Sequence, residues 1–318
     1  DVYIAGVYDL RYSLDSFEGL SIIDWDDYKI SIPVVNMGAG RENSATILGR
    51  SGVLPYVVSE NFTIPAETEG VTLEIVAEDD RSVTPLIAGD GGVNPVTIAG
   101  VQGTLTRVSG AQTWKPHTYQ FTRLEAGTEI PVEKGTKIVT AVTDAYKDYI
   151  HIVWLGTYDN AVTPEKLVSD TKALLQRQNI NTERYLVIGP CASNGTWSMS
   201  STNILESIDS AMLQAFGDRY INLRKYLIED GLRDAGVTAT TQDKQSLAAG
   251  KIPNSFRSNT SGADLTGVAY ELLGELVYER MDRLGYFDEV RDALELEKTI
   301  EAVLKEEPKY FENRLNAY

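Results

Sequence analysis

Tyr149-Ile150-His151-Ile152-Val153-Trp154-Leu155, then Thr163-Pro164-Glu165, then Tyr185-Leu186-Val187-Ile188-Gly189, is the stretch on which the reading of the fold turns. The first and third segments are near-continuous apolar runs, the pattern of strands buried on both faces. Thr163 is an N-cap with proline at the first helical position, and it opens a helix expected to reach about Gln178. A second helix is expected from about Ser201 to Phe216, and a short strand at Tyr220-Ile221-Asn222-Leu223. Leu265, Val268, Ala269, Leu272, Leu273, Leu276 and Val277 then recur at helical spacing up to about Leu284. Strands alternating with helices predict an α/β fold: a three-layer α/β/α sandwich with a parallel sheet covered on both faces.

Working outward, residues 1–51 hold the strand candidate Val2-Tyr3-Ile4-Ala5 and a second strand, Ile32-Pro33-Val34-Val35-Asn36. The latter runs into Gly38-Ala39-Gly40 and the short helix pattern Ser44-Ala45-Thr46-Ile47-Leu48. Between 52 and 147 the pattern changes to short β-type runs such as Val71-Thr72-Leu73-Glu74-Ile75-Val76 and Lys137-Ile138-Val139-Thr140-Ala141-Val142. Turn clusters separate them, with no long helical pattern between, which predicts an inserted all-β domain. Gly89-Asp90-Gly91-Gly92 lacks the lysine and following helix of a phosphate loop and reads as a hairpin turn. Residues 287–318 are expected to form a helical extension. Val290, Leu294, Ile300, Val303 and Leu304 fall on or near one side of its helix, ahead of a Pro308-Lys309-Tyr310-Phe311 tail.

The 318 residues are 42 % apolar and 24 % charged, ordinary for a globular protein, with a net charge of −17. That charge repels phosphate backbones and anionic membranes, so nucleic acid is excluded as a partner. No apolar stretch approaches the roughly 20 residues needed to span a bilayer, so membrane insertion is not expected. A lone cysteine, Cys191, rules out an intrachain disulfide and a multi-cysteine metal site, and it reads as a small half-buried side chain. No signal peptide is seen. The opening at Asp1, directly into a strand pattern, suggests a processed or excised part of something longer.

Four segments carry a family resemblance. Ile152-Val153-Trp154-Leu155-Gly156-Thr157-Tyr158-Asp159 resembles the Gly-x-Asn-Asp block of SGNH (GDSL-type) hydrolases. Asp264-Leu265-Thr266-Gly267-Val268-Ala269-Tyr270 resembles their C-terminal His-Leu-x-x-x-Gly-Tyr block. Asn36-Met37-Gly38-Ala39-Gly40-Arg41-Glu42 resembles their glycine block, and Ile4-Ala5-Gly6-Val7-Tyr8 sits where the Gly-Asp-Ser motif begins. The resemblance covers 1–51 and 149–286, and the β-insertion is similar to that of some bacterial and phage-associated members.

What the resemblance implies for chemistry is loss. The nucleophilic serine position carries Tyr8, the oxyanion glycine position Arg41, and the oxyanion asparagine position Tyr158. The histidine position carries Asp264, and that of its orienting aspartate Ser261. Removing serine or histidine from such a site costs on the order of a millionfold in turnover, and each oxyanion donor roughly another hundred to a thousandfold. Ser13, Ser16, Ser44 and Ser261 are alternative hydroxyls, but each needs a base. The two histidines of the chain are His117, in the β-insertion, and His151, in an apolar strand where a core or edge role is expected.

No metal or other cofactor is expected: Asp24, Asp26 and Asp27 crowd one polar stretch without the calcium-loop pattern. Asn61, Asn194 and Asn259 open sequons that matter only in a eukaryotic secretory setting.

The expected function is a catalytically degenerate SGNH-hydrolase-like domain serving as a structural or binding module, as in a virion, tail fibre or surface assembly, with no catalytic residue. Two alternatives stand beside it. One is a carbohydrate esterase or deacetylase with a non-standard site. The other is a glycan-binding module using the former cleft, with Tyr8, Arg41 and Tyr158, or Trp114 and Tyr119 of the insertion, against the sugar. Expected partners are assembly subunits or a glycan, with a homo-oligomer as a further option, and an extracellular or virion surface is favoured. A sharper expectation is that Arg41 and Asp264 pair across the former site, with Tyr8 and Tyr158 packed around them, as a polar plug.

Overall fold

The computed structural model describes residues 2–5, 20–21, 31–32, 34–108, 118–159, 163–177, 184–191, 202–258 and 264–306. The chain begins with strand β1 (Val2–Ala5), the short antiparallel pair β2 (Leu20–Ser21) and β3 (Ser31–Ile32), strand β4 (Val34–Asn36) and helix α1 (Ser44–Arg50). Asn43 caps α1, its side-chain oxygen accepting from Thr46 N at 2.8 Å and Thr46 Oγ1 at 2.7 Å. Every residue of α1 is buried, Arg50 included.

Eight strands follow: β5 (Tyr56–Val58), β6 (Phe62–Ile64), β7 (Val71–Ala77), β8 (Val96–Ile98), β9 (Val101–Arg107), β10 (Thr118–Arg123), β11 (Ile130–Val132) and β12 (Lys137–Val139). Six of them close a barrel in the order β10-β7-β5-β12-β8-β9, with every pairing antiparallel. β6 and β11 form a separate two-stranded ribbon. Along β10 side chains alternate between half-buried and buried, so Tyr119 and Phe121 enter the barrel with Leu73, Ile75, Val96, Ile98, Leu105 and Ile138 of its other strands. Closure removes the unpaired edges that an open sheet would leave. Gly103 faces the Phe121 ring so closely that a Cβ there would lie 2.4 Å from it; the absent side chain makes room for the phenyl.

The remaining elements are β13 (Ile150–Val153), α2 (Pro164–Leu175), β14 (Tyr185–Ile188), α3 (Thr202–Phe216), β15 (Tyr220–Ile221), α4 (Leu223–Glu229), α5 (Gly231–Asp234), α6 (Thr241–Ala248), α7 (Gly267–Arg283) and α8 (Asp288–Glu306). β15-β14-β13-β1-β4 lie side by side in parallel register. Ile47 and Leu48 of α1, Leu167 and Leu174 of α2, and Leu205, Ile208 and Met212 of α3 pack with Val153 and Val187 of these strands. The chain divides into two compact units, Asp1–Leu276 and Val277–Tyr318. In the second, Tyr278 stacks on Phe287 at 5.5 Å and Arg291 pairs with Asp282.

The expectation of a three-layer α/β/α sandwich with a parallel sheet is overturned. The largest sheet is a closed six-stranded antiparallel barrel, carrying the longest strands, of seven, seven and six residues. Parallel pairing is confined to strands of two to four residues. Helix-strand alternation in the sequence reports the order of elements, and the short β runs that it treats as an insertion hold most of the hydrogen-bonded sheet. Residues 89–92 are also not a hairpin turn: they join β7 to β8, which are not neighbours in the barrel. Gly91 there presents its carbonyl to Arg50 Nη1 at 3.0 Å.

Candidate functional site

The parallel strands locate a candidate site independently of any motif. From β1 the chain proceeds to β4 on one side, then returns to lay down β13, β14 and β15 on the other. Connections therefore leave the carboxyl ends in opposite directions, and the crevice so formed is where open parallel sheets bind ligands. Residues 37–42 after β4 and 154–159 after β13 lie at that end.

Asp159 joins the two loops. Its Oδ1 accepts the Ser44 amide at 2.9 Å, and Oδ2 accepts the Ser44 hydroxyl in a short hydrogen bond. The carboxylate thus caps α1 from across the sheet, where unpaired amides favour a negative group. Burial raises the Asp159 pKa against the two Ser44 hydrogen bonds that lower it. The turn leading to it needs Gly156, which adopts φ +93° and would bring a Cβ to 3.0 Å from Leu167. Asp159 belongs to the Gly-Thr-Tyr-Asp segment, where sequence reasoning assigned it no role. Its signal was a carboxylate directly following a buried strand and turn.

Tyr158, one residue earlier, donates its hydroxyl to Asp264 Oδ1 at 2.5 Å, and both side chains are half-buried. Two of the expected positions are therefore in direct contact. Arg41 is exposed and holds a left-handed backbone, φ +64°. The ion pairs of the described residues do not include Arg41 with Asp264, so the expected plug does not form as a salt bridge. Tyr8, Ser13, Ser16, Asp24, Asp26, Asp27, Trp114, His117, Asn194, Asn259, Ser261 and the tail at 308–311 lie outside the described residues. Among those described, no group of three or more His, Cys, Asp or Glu is placed to hold a metal ion, and no helix is long and apolar enough to cross a membrane.

The other candidates are spent in the core. Ser44 is 1 % exposed, so its hydroxyl has no path to a substrate. His151 is fully buried in β13, with Nε2 3.1 Å from the Tyr146 carbonyl; burial holds its pKa down at about 4, with Arg177 adding to the effect. Tyr119 is fully buried inside the barrel and donates to the Pro85 carbonyl at 3.1 Å, which leaves no face for a sugar. Cys191 is buried, and burial pushes its thiol up to about 12, far from a reactive thiolate.

Sequence reasoning also missed a buried ion pair. Arg50 Nε donates to Glu42 Oε2 at 2.8 Å, with both side chains essentially inaccessible. Burial raises the Glu42 pKa against the lowering effect of Arg50. Tyr56, inside the barrel, donates to the Thr46 carbonyl at 2.6 Å, and Thr84 N donates to Thr46 Oγ1 at 2.9 Å, so α1 is fastened to the barrel by its polar groups. Arg81 adds a fork to Asp170 of α2, at 2.7 and 3.3 Å.

No protein-family model and no curated protein matches the chain. Among solved structures it is similar to a peptidoglycan O-acetylesterase at 11 % identity and a TM-score of 0.33, over 89 % of this chain and 90 % of that one. A likeness of that size carries no argument about this chain's fold or chemistry.

Proposed function

We propose that the chain is a non-hydrolytic structural or binding module. The observation that carries this reading is how the hydroxyls of the crevice are used: Tyr158 is engaged with Asp264, and Ser44 is buried against Asp159. Acyl transfer by a serine needs a base beside an accessible hydroxyl. His151 is buried in a strand, with Nε2 facing a backbone carbonyl. The barrel fits the reading as an inserted domain spanning about 52–147. Its first and last strands, β5 and β12, pair with each other through Tyr56 and Ile138, so the chain enters and leaves at one place.

The test is turnover of an activated acetyl ester by the full chain, together with labelling by a fluorophosphonate. The expected outcome is no turnover above buffer and no labelled serine. Stoichiometric labelling of any serine overturns the proposal and restores the esterase alternative.

A further inference from the structure

The barrel turns one side toward α1 and leaves the opposite side open. All three residues of β5 are buried, and Tyr56 there is fastened to α1. In the closed order β10-β7-β5-β12-β8-β9 the strand diametrically across from β5 is β9. Along β9 Gly103 and Leu105 are buried, so Gln102, Thr104 and Thr106 stand on the outer surface.

The register extends these three into rows across neighbouring strands. Gln102 lies between Thr97 of β8 and Leu124, whose amide donates to the Gln102 carbonyl at 3.0 Å, and Thr97 lies beside Val139 of β12. Thr104 stands opposite Thr122, and Thr106 opposite Gln120. Val108 ends the face beside Thr118, to which its amide donates at 2.9 Å. None of these side chains is charged, on a chain of which 24 % is charged. Charge returns only at the margins, as Lys137 next to Val139, paired with Glu78 at 2.9 Å, and as Glu74 opposite Thr118. Among the described residues, the large apolar side chains that the barrel exposes are Val108, Leu124 and Val139, at 55, 51 and 44 %, and all three lie on this face. An uncharged centre with apolar side chains inside a charged rim is the make-up of an interface core.

We propose that this face is a two-fold contact between two copies of the chain. A two-fold contact presents one patch to itself, so any cluster of one charge sign would meet its own like charge. Threonine hydroxyls and glutamine amides both donate and accept, so they can pair with their own kind, and valine and leucine pack against themselves. Each copy carries −17, and a charge-free face is where two such bodies touch with least repulsion. A basic partner would be met by acidic side chains, which the centre of this face lacks. A glycan would be met by aromatic rings, and Tyr119 and Phe121 of these strands point into the barrel instead. Because the barrel is closed, the contact runs through side chains, face to face, rather than by strand addition at an edge.

The contact lies across the barrel from α1, so either outcome of the ester assay leaves it standing. The experiment is sedimentation of the full chain over a range of concentrations, at low and high salt, repeated on Gln102→Glu and on Leu213→Glu. Both variants add one negative charge at an exposed position, the first on this face and the second on α3. The parent should reach a limiting mass of two copies, and Gln102→Glu should weaken the dimer at least about tenfold while Leu213→Glu leaves it unchanged. Salt should strengthen the dimer, because it screens the repulsion between two acidic bodies. Melting temperatures of both variants measured on the monomer should match that of the parent, which separates loss of contact from loss of fold. A parent that stays monomeric up to about 100 µM overturns the proposal and leaves the face to another partner. A limiting mass above two copies, equal effects of the two variants, or a dimer weakened by salt overturns it as well.

Discussion

Arg41 and Glu42 are neighbours in sequence and opposites in environment. Arg41 is exposed at the carboxyl end of the parallel strands, while Glu42 is buried where α1 meets the barrel and is paired with Arg50. The crevice keeps Tyr158 and Asp264 half-buried, and the barrel junction removes Glu42 and Arg50 from water altogether. A charge in the first place is screened and inexpensive. In the second its partner is indispensable, because the desolvation cost stays when the partner leaves.

The largest expected effect breaks that contrast at the buried pair. Arg50→Ala strands the Glu42 carboxylate in the core and should cost about 3–5 kcal/mol, read from urea unfolding midpoints. Replacing both members with apolar residues of similar volume, Glu42→Leu with Arg50→Met, should recover much of the loss. A cost below about 1 kcal/mol for Arg50→Ala would mean that the pair is solvated, and the two regions would no longer differ.

A second test addresses a buried titratable group, the His151 imidazole. His151 has a folded pKa of about 4 against an ordinary value near 6.5, because burial penalises the imidazolium. Between those values the unfolded chain binds the proton and the folded chain does not. Stability should therefore fall as pH drops from about 6.5 to about 4, by up to about 3 kcal/mol. Glu42 and Asp159 have raised pKa values, and their protonation favours the folded state as pH falls, which opposes the trend. The His151 part is isolated by the difference between the parent and His151→Gln in melts across that window. Parallel pH profiles would show that the imidazole is reached by water.

Local order was legible in the sequence and global closure was not. Thr163 with Pro164 marks the start of α2, and the apolar runs at Ile150 and Tyr185 mark β13 and β14, because caps and buried runs are set by nearby residues. That β5 would close on β12, and β9 on β10, depends on register between segments up to about eighty residues apart, which no local pattern encodes. The same limit applied to the crevice. Tyr158 and Asp264 were named and do meet, across 106 residues, but an ion pair was expected between Arg41 and Asp264, while a buried one, which was not expected, joins the next residue, Glu42, to Arg50. Charge and spacing do not report burial, and burial decides which of two adjacent ionic residues needs a partner.

The smallest effects both fall at the crevice and differ in sign. Tyr158→Phe removes one hydrogen bond to a half-buried carboxylate and should cost about 0.5–1.5 kcal/mol. Arg41→Gly should do the reverse. A non-glycine residue in the left-handed region carries roughly 1–2 kcal/mol of strain, and glycine relieves it while adding about 0.4–1 kcal/mol of unfolded-state entropy cost. The net expectation is a gain of about 0.5 kcal/mol, seen as a small rise in urea midpoint with no change in slope. If Arg41 instead braces the crevice, removing its side chain must lower the midpoint, and losses with Tyr158→Phe must be non-additive in the double variant. Additive effects of opposite sign leave Arg41 as an exposed, strained residue at the mouth of an open crevice.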